Sequence, residues 1–466
     1  MRLRGAAEAA AAAAGFAAST AVFWPGVALY DSVEQYRQAV TGNLTDWHPP
    51  VMARLWGVLA HLWPGTAPML LLQLGLYWLG LGLCASALAR RGRHLAGWAV
   101  LAMGAQLLLC CWLGAILKDA QMIGAMAAAT GIATWFALEE RPRPAWATAA
   151  MLLLLGYATL VRANALFATV PLGLALLGWA GLQRVWTRAA AALLLIAAIL
   201  LLAPPVNHRL FGAAREGPEN SLLLYDIVGT SIRAGTDSAG VPEARWRALR
   251  DAGCYAPDAW DPLSAPGRCR AAPSLAADPD TPPLYGVWLR TTAAHPLAYA
   301  AHRLAHFNAT MRWLIGANEY GAVGPVEPEP NRLGLGSAPG AAEERLHDAG
   351  DVWAALPLGW PILWLALAVT GLWESRSAPP TPERPVARAL LLSACCGGLS
   401  YLFVSVASDL RYHLWTMLAS GLGLVILAGG GGLRGRRCIV LLAVAALVVA
   451  GGTAARLLLP PLAPAA

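Results

Sequence analysis

The chain contains a series of long apolar runs, and these runs constrain its fold more than any other feature. A helix needs about 20 mostly apolar residues to cross a bilayer, and inside the bilayer its backbone must satisfy its own hydrogen bonds. We therefore predict an all-α polytopic membrane protein with about eleven transmembrane helices. The predicted spans are residues 6–24, 67–89, 95–115, 120–138, 145–161, 163–182, 189–206, 353–373, 389–407, 412–430 and 438–458.

The composition excludes several other classes of protein. Only 13% of the residues are charged, against roughly 25% in an average soluble domain. This deficit excludes a soluble enzyme and a disordered chain. The net charge of +7 comes from short arginine clusters and not from a basic run with interleaved aromatic residues, so we expect no nucleic-acid partner.

The arginines predict the orientation of the spans, because basic residues mark the cytoplasmic side. The six clusters are Arg2 and Arg4; Arg90, Arg91 and Arg93; Arg141 and Arg143; Arg184 and Arg188; Arg376, Arg384 and Arg388; and Arg434, Arg436 and Arg437. Threading eleven spans places all six clusters on one side. We expect a cytoplasmic N-terminus and a location in the plasma membrane, or the inner membrane of a bacterium. The alternative reading of the N-terminus is a signal peptide.

The same threading divides the chain into three parts. Residues 1–206 form an N-terminal transmembrane module whose first outer loop, 25–50, carries the catalytic candidates. Residues 207–352 form a large extracytoplasmic loop domain, and 353–466 hold the C-terminal transmembrane helices. A loop as long as 207–352 is usually functional or disordered.

Two stretches have patterns of their own. Apolar residues recur at helical spacing over 285–314 and are interrupted by Pro296, which predicts two helices. The stretch 50–63 is too short to cross a bilayer alone. It is either an interfacial helix or part of a longer, tilted second span.

Two cysteines lie outside the predicted spans. Cys254 and Cys269 fall in the exported segment, where a disulfide between them would close a small loop. We predict that the other six are apolar packing residues: Cys84, Cys110, Cys111, Cys395, Cys396 and Cys438.

The first outer loop contains acids and a histidine at the predicted membrane interface. Asp31 follows the first span and begins a short helix that includes Glu34, so it is either an N-cap or a general base. The loop closes with Asp46 and His48, followed by two prolines that stiffen entry into the next helix. His48 is either a solvated interface residue or a substrate ligand.

Three further outer turns carry paired acids, bases and amides. Lys118, the only lysine in the chain, precedes Asp119. We interpret it as a phosphate ligand, with a local Lys118–Asp119 pair or snorkelling as the alternative. Arg162 lies two residues before Asn164 in a turn with almost no loop, and it is either a phosphate ligand or an interface anchor.

The third turn contains Asp409 and Arg411, which form either a local pair or part of the same site. Acids and bases thus gather on one predicted face, beside a bilayer and under a large loop. This layout suits a lipid phosphate held by cations, with a carboxylate close by to activate a hydroxyl.

In the order of these acidic and basic residues along the sequence, the chain resembles the GT-C superfamily of integral-membrane glycosyltransferases, near the protein O-mannosyltransferases and the lipid A aminoarabinose transferases. The resemblance covers roughly residues 15–200, and the C-terminal half matches in layout, with its Asp-Leu-Arg-Tyr turn. The matching features are Tyr30-Asp31 after the first span, Asp46–Pro50 at the end of the first loop, Lys118-Asp119-Ala120 at the start of a later helix, and the turn Val161-Arg162-Ala163-Asn164.

The resemblance implies transfer of a sugar from a polyprenyl-phosphate donor to a hydroxyl of a glycan, lipid or protein acceptor, on the outer face and with inversion. It implies that Asp31 is the catalytic base. The other implied roles are a catalytic role for Asp119, donor phosphate binding by Lys118, Arg162 and Arg411, and substrate binding by Glu34, Asp46, His48, Asn164 and Asp409.

The chain departs from the family at two positions. Many relatives have lysine where this chain has His48, and relatives often have a second acid where this chain has Ser32. The resemblance implies no organic cofactor, although some relatives use a divalent metal. Asp31, His48 and Asp119 are candidate ligands, but no spacing compels a metal site.

Two other functions stay open at this point. A polyprenyl-linked glycan ligase or polymerase would use basic residues of the long segment, such as Arg290, His302, Arg303 and His306. A solvated helix face is the alternative reading of these four. A non-enzymatic lipid-carrier flippase or transporter would be expected to show mid-span carboxylates or inverted repeats, and neither is evident in the sequence.

Overall fold

The computed structural model describes residues 5–178, 184–235, 251–258, 260–264, 283–317, 322–324 and 326–460. Over these residues the chain is all-helical, with only two isolated backbone bridges. Contacts divide it into two compact units. The first unit is Met1–Glu216, Gly321–Gly398 and Arg411–Leu447, and the second is Gly217–Tyr320, Leu399–Leu410 and Val448–Ala466.

The principal helices are numbered here in chain order. They are α1 Ala6–Phe23, α2 Tyr30–Thr41, α3 Val51–Leu62, α4 Ala67–Arg90, α5 His94–Gly104, α6 Leu107–Gly114, α7 Lys118–Leu138, α8 Ala145–Val161, α9 Leu166–Leu177, α10 Val185–Pro205, α11 Glu219–Ala234, α12 Leu284–Ala294, α13 Pro296–Thr310, α14 Ala341–Ala355, α15 Pro361–Glu374, α16 Glu383–Ser400, α17 Leu414–Gly429 and α18 Arg436–Leu458.

Within the described residues, six helices are long and apolar enough to cross a membrane. They are Ala6–Phe23, Ala67–Arg90, Lys118–Leu138, Val185–Leu210, Leu410–Gly429 and Arg436–Leu458. The predicted span 95–115 is instead two helices, α5 and α6, bent by 51° at a short break. The prediction of an all-helical chain with membrane-spanning helices is therefore confirmed in outline.

The other four predicted spans coincide with helices that do not meet these criteria. Three are short, with 17 residues in α8, 12 in α9 and 14 in α15. The fourth, α16, has 18 residues but contains Glu383, Arg384 and Arg388. The count of about eleven thus stays a prediction, because helices of 12 or 14 residues are shorter than a bilayer core.

Small residues allow α4 and α7 to pack closely in the first unit. A Cβ at Gly80 would lie 2.2 Å from the backbone of Ala127, and a Cβ at Gly131 would lie 2.5 Å from the carbonyl oxygen of Gly80. Close backbone approach at small residues is the usual way in which membrane helices associate. The two helices run parallel, so α7 begins beside the start of α4.

Four of the arginine-rich connections share one end of the helices, those at 90–93, 139–143, 376–388 and 434–437. Arg90 pairs with Glu139, which follows α7, and Arg91 lies 3.4 Å from Glu383 at the start of α16. Arg437, in the first turn of α18, donates to Ser377, which precedes α16. This arrangement agrees with the predicted alternation, while the side of the membrane that this end faces stays a prediction.

The stretch 50–63 is a separate helix. α3 ends at Leu62, and four residues separate it from α4, so it is not an extension of the second span. Val58, Leu62 and Trp63 are exposed, and Trp63 lies 5.5 Å from Trp24 between ring centroids. Exposed apolar and tryptophan side chains of this kind are typical of a membrane interface.

The second unit is built around α11, which packs against α12 and α13. The predicted pair of helices over 285–314 is confirmed, with the break at His295 before Pro296. Cys254 is buried and disulfide-bonded, whereas its predicted partner Cys269 lies outside the described residues.

The six remaining cysteines are free thiols. Cys84, Cys111 and Cys395 are buried, as expected of packing residues. Cys438 is exposed on α18, so a packing role in the interior is wrong for this residue.

Candidate active site

Two backbone hydrogen bonds bring distant parts of the first unit together. The N–H of Val27 donates to the carbonyl oxygen of Gly114 over 3.1 Å, and the N–H of Ile116 donates to Val27 over 3.0 Å. These bonds join the turn between α1 and α2 to the turn between α6 and α7. The first residues of α2 and α7 therefore lie next to each other.

Ser32 fixes the start of α2 against the second of these turns. Its Oγ accepts a hydrogen bond from the N–H of Leu29 at 3.0 Å and donates to the carbonyl oxygen of Ile116 at 2.7 Å. The helix begins at Tyr30 with Leu29 as its N-cap. The prediction that Asp31 is the N-cap is therefore wrong, because Ser32 supplies the capping oxygen.

The carboxylate of Asp31 is surrounded by basic side chains. Lys118 Nζ and Arg411 Nη1 each lie 3.4 Å from the same oxygen, Oδ2. The Nε2 atom of His48 lies 3.7 Å from the other oxygen, Oδ1. Three residues from separate parts of the sequence therefore converge on one carboxylate, in a chain that has only one lysine.

These neighbours determine the ionisation of Asp31. Burial by itself raises the pKa of this carboxyl, but the positive charges of Lys118 and Arg411 outweigh burial and hold the pKa well below its usual range. Asp31 is therefore ionised at neutral pH.

The ring of His48 is buried and contacts Lys118 directly. The Nδ1 atom lies 2.8 Å from Lys118 Nζ, and only 4% of the residue is exposed. Burial, together with the positive charge of Lys118, lowers the pKa of His48 to about 4, so the ring is neutral at neutral pH. The reading of His48 as a solvated interface residue is therefore wrong.

A second, buried ion pair lies beside this cluster. Arg162 Nη1 donates to Asp119 Oδ1, and Arg162 Nε donates to Asn164 Oδ1 at 2.7 Å. Both side chains are more than nine-tenths buried, and Asp119 Oδ2 has no hydrogen-bond partner among the described residues. Asp119 thus pairs with Arg162 and not with its neighbour Lys118.

Two aromatic rings connect the arginines of the site. The guanidinium of Arg162 lies 4.3 Å from the centroid of Tyr412, and that of Arg411 lies 5.5 Å from the same ring and 5.9 Å from Trp112. Cation–π contacts of this kind hold guanidinium groups in place when they are shielded from water. Neither ring was assigned a role from the sequence, although Tyr412 belongs to the Asp-Leu-Arg-Tyr turn.

A buried amide network supports the turn that carries Lys118. Gln73 Nε2 donates to the carbonyl oxygens of Leu113 at 2.7 Å and Ala115 at 3.0 Å. Gln121 Nε2 donates to Gln73 Oε1 at 2.9 Å, and the hydroxyl of Tyr157 donates to Gln121. These glutamines were not predicted as part of the site, although uncharged polar residues within apolar runs could have indicated a buried hydrogen-bond network.

Two predicted substrate ligands have other contacts. Glu34 is bonded to Arg37 at 2.5 Å and to Gln38 at 3.0 Å, all on α2. Asp46 Oδ1 accepts the N–H of Glu216 at 2.6 Å, and its Oδ2 lies 3.5 Å from His208. These contacts fix the loop and the segment after α10, so a role in substrate binding stays a prediction for both acids.

Asp409 belongs to the second compact unit. Within the part of the chain that the structure describes, no group of three or more His, Cys, Asp or Glu side chains is arranged to hold a metal ion. Asp31 and His48 are adjacent, but Asp119 is already paired with Arg162.

The second unit has a buried polar network of its own. Asp226 Oδ1 lies 3.2 Å from His302 Nε2 and 2.5 Å from Arg303 Nη2, and Tyr255 Oη lies 2.9 Å from His302 Nδ1. His302 and His306 are fully buried and Arg303 is 2% exposed. The reading as a solvated helix face is therefore wrong for His302, Arg303 and His306, which hold the interior of the unit together. Arg290, the fourth residue of that reading, is exposed on α12.

Comparison with known proteins identifies no relative. No family model, curated protein or solved structure matches the chain. Fold and site together define a helical protein with a carboxylate held by two cations and, in the part of the chain that the structure describes, six helices long and apolar enough to cross a membrane.

Proposed function

We propose that the protein is a membrane glycosyltransferase of GT-C type that uses a polyprenyl-phosphate sugar as donor. It transfers the sugar to an acceptor hydroxyl on the outer face of the membrane, with inversion. One observation carries this proposal: Lys118 Nζ and Arg411 Nη1 both lie 3.4 Å from a single oxygen of Asp31. Two cations and a carboxylate are thus within reach of one small ligand.

The two cations suit the phosphate of the donor. The leaving group begins as a phosphodiester and becomes a phosphomonoester, so it gains negative charge in the transition state. Lys118 and Arg411 stabilise this charge, since preorganised cations act most strongly where water is excluded. Arg162 is bonded to Asp119 and Asn164, so it supports the site through Tyr412 instead of binding the phosphate directly.

Asp31 suits the role of base because it is ionised at neutral pH and lies beside the cations. The acceptor oxygen attacks the anomeric carbon from the face opposite the phosphate. The bond from that carbon to the phosphate oxygen breaks, and its electron pair stays on the phosphate. Asp31 takes the proton of the acceptor hydroxyl, which balances the reaction.

The surroundings are compatible with a lipid-linked substrate. The first unit contains the long apolar helices α1, α4 and α7, and the site lies at the ends of these helices. Nearby, the exposed Trp24 and Trp63 supply the aromatic side chains that seat a protein at the membrane interface. A polyprenyl tail would lie in the bilayer while its phosphate reaches Lys118.

The alternative functions gain no support from the described residues. Of the four residues named for the ligase or polymerase reading, His302, Arg303 and His306 are buried in an internal network, and Arg290 is exposed on α12. No specific contact favours the flippase or transporter reading, so no second function is proposed.

The test is mass spectrometry of envelope lipids and glycans from cells that make the native protein, Asp31→Asn or Arg37→Gln. Arg37 is the control, because it lies on the same helix and its exposed side chain pairs with Glu34 outside the Asp31 cluster. We expect Asp31→Asn to remove one sugar from one glycan and to accumulate the polyprenyl-phosphate sugar. Unchanged glycans in Asp31→Asn cells, with the variant folded in the membrane, would overturn the proposal.

A further inference from the structure

The ring of His48 lies between the two groups that the proposed reaction uses. Its Nδ1 is 2.8 Å from Lys118 Nζ, and its Nε2 is 3.7 Å from Asp31 Oδ1. The residue is 4% exposed, and it lies in the loop that leads into α3. The imidazole is thus a short, rigid connection between a cation and a carboxylate.

The contact with Lys118 determines the tautomer of the ring. An ammonium group has three donors and no acceptor, so Nδ1 must accept the hydrogen bond from Lys118. In a neutral imidazole the single hydrogen then lies on Nε2. The low pKa of His48, about 4, agrees with a neutral ring at physiological pH. The Nε2–H group therefore faces the carboxylate of Asp31.

This N–H group is buried and has no hydrogen-bond partner in the described part of the chain. The nearest carboxylate oxygen, Asp31 Oδ1 at 3.7 Å, is too distant for a hydrogen bond. A buried donor without a partner is unfavourable, and such groups in native proteins are often retained for a function. A small movement of Asp31 would close the gap.

We propose that His48 is a positioning residue that holds Lys118 through Nδ1 and receives Asp31 through Nε2–H when the donor phosphate binds. The proposal rests on the proposed function, because the anion that it invokes is the phosphate of the polyprenyl donor. Bound phosphate draws Lys118 and Arg411 away from Asp31 Oδ2. Asp31 Oδ1 then accepts the Nε2–H hydrogen bond, and Oδ2 is left for the acceptor hydroxyl.

This arrangement gives the reaction an order. While Lys118 and Arg411 surround Asp31, the carboxylate is a weak base, because the charged form is strongly favoured. Donor binding removes that stabilisation and makes Asp31 a stronger base. The acceptor is therefore activated only after the donor is in place.

Two substitutions separate the two contacts of His48. The amide oxygen of asparagine lies near the position of Nδ1, so His48→Asn keeps an acceptor for Lys118 and removes the donor for Asp31. The amide nitrogen of glutamine lies near the position of Nε2, so His48→Gln keeps the donor and removes the acceptor. Loss of one such hydrogen bond corresponds to about a tenfold change.

We expect His48→Asn to lower kcat about tenfold and to leave the KM for the donor within about twofold. We expect His48→Gln to raise the KM for the donor about tenfold with a smaller effect on kcat. A residue with only a structural role would not split the parameters in this way. Equal losses in both variants, with KM and kcat changed together, would overturn the proposal.

A second measurement does not depend on transfer. Nitrogen NMR of the full chain labelled at histidine, with His48→Asn to assign the signal among the nine histidines, reports the tautomer of the ring. At pH 7 we expect a neutral ring protonated on Nε2, and a shift of the Nε2 signal when polyprenyl phosphate is added. A cationic ring, protonation on Nδ1, or bound polyprenyl phosphate without that shift would overturn the role of His48. The expected tautomer in a protein without transfer activity would instead count against the proposed function alone.

Discussion

The hydroxyl of Ser32 donates a 2.7 Å hydrogen bond to the carbonyl oxygen of Ile116, across 84 positions of sequence. Ser32 follows Asp31 directly, and Ile116 lies two residues before Lys118. This one bond therefore couples the placement of the carboxylate to the placement of the only lysine in the chain.

We expect Ser32→Ala to be destabilising and to impair the site. The substitution leaves the N–H of Leu29 and the carbonyl oxygen of Ile116 buried without their partner, which costs roughly 1–3 kcal/mol of unfolding free energy. The thermal unfolding of the purified protein should show this loss. Thr41→Ala is the control, since the Thr41 hydroxyl is exposed and bonds only to nearby backbone, the carbonyl oxygen of Arg37 and the N–H of Asn43. Equal stability of the two variants would contradict the role of Ser32.

The Asp119–Arg162 pair should be far more sensitive than an exposed pair. Removing one partner leaves a buried charge uncompensated, which costs about 3–5 kcal/mol, whereas an exposed pair contributes at most about 1 kcal/mol. We expect Arg162→Gln and Asp119→Asn to be strongly destabilised in unfolding experiments. The matched control is Arg37→Gln, which breaks the exposed pair with Glu34.

The double variant Asp119→Asn with Arg162→Gln completes the comparison. Removal of both charges together should cost less than the sum of the single substitutions, because neither partner is then left unpaired. Strictly additive losses would show that the two side chains act independently, contrary to the geometry.

The acid limb of the pH profile should move when Lys118 is replaced. Burial raises the pKa of Asp31, and the neighbouring cations lower it. Lys118→Gln removes one of these cations, so the pKa of Asp31 rises. The activity kcat/KM of the variant should then fall at a higher pH than that of the native protein. Arg37→Gln, which leaves the cluster intact, should not move the limb. An unmoved limb in Lys118→Gln would remove Asp31 as the titrating group.

His48 should make the stability of the native protein depend on pH. Its pKa is lowered from 6.5 to about 4 on folding, so its contribution is complete above pH 6.5 and is lost as the pH falls towards 4. The full loss is about 3 kcal/mol. His48 faces Lys118, Asp31, Arg411 and Glu34, and the native and His48→Asn proteins share all four. Their difference in unfolding midpoint should therefore shrink between pH 6.5 and 4, and a constant difference would contradict the neutral ring.

The sequence predicted which residues belong to the site better than it predicted which of them contact each other. Asp31, Lys118, Arg162 and Arg411 all follow or precede apolar runs, and alternation of the spans places such positions on one side. The alternation of the spans does not predict which cation pairs with which carboxylate. That choice depends on Ser32 and on the amide network, which are tertiary contacts between runs.

The number of spans could not be predicted from hydropathy alone. The hydropathy of residues 95–115 is continuous, but the chain bends between α5 and α6, and a sum over a window does not report a bend. The helix α9 is likewise shorter than the apolar run that contains it, ending at Leu177 before Gly178, whose φ of 62° lies in the left-handed region.

The most direct test of the central claim uses purified protein in liposomes. The liposomes contain lipid extract from Asp31→Asn cells, which should be rich in the accumulated donor, together with the acceptor fraction of the envelope. We predict that the native protein consumes the polyprenyl-phosphate sugar, releases polyprenyl phosphate and adds one sugar to the acceptor, while Asp31→Asn does neither. Failure of the native protein to consume any polyprenyl-phosphate sugar, or equal consumption by Asp31→Asn, would contradict the account.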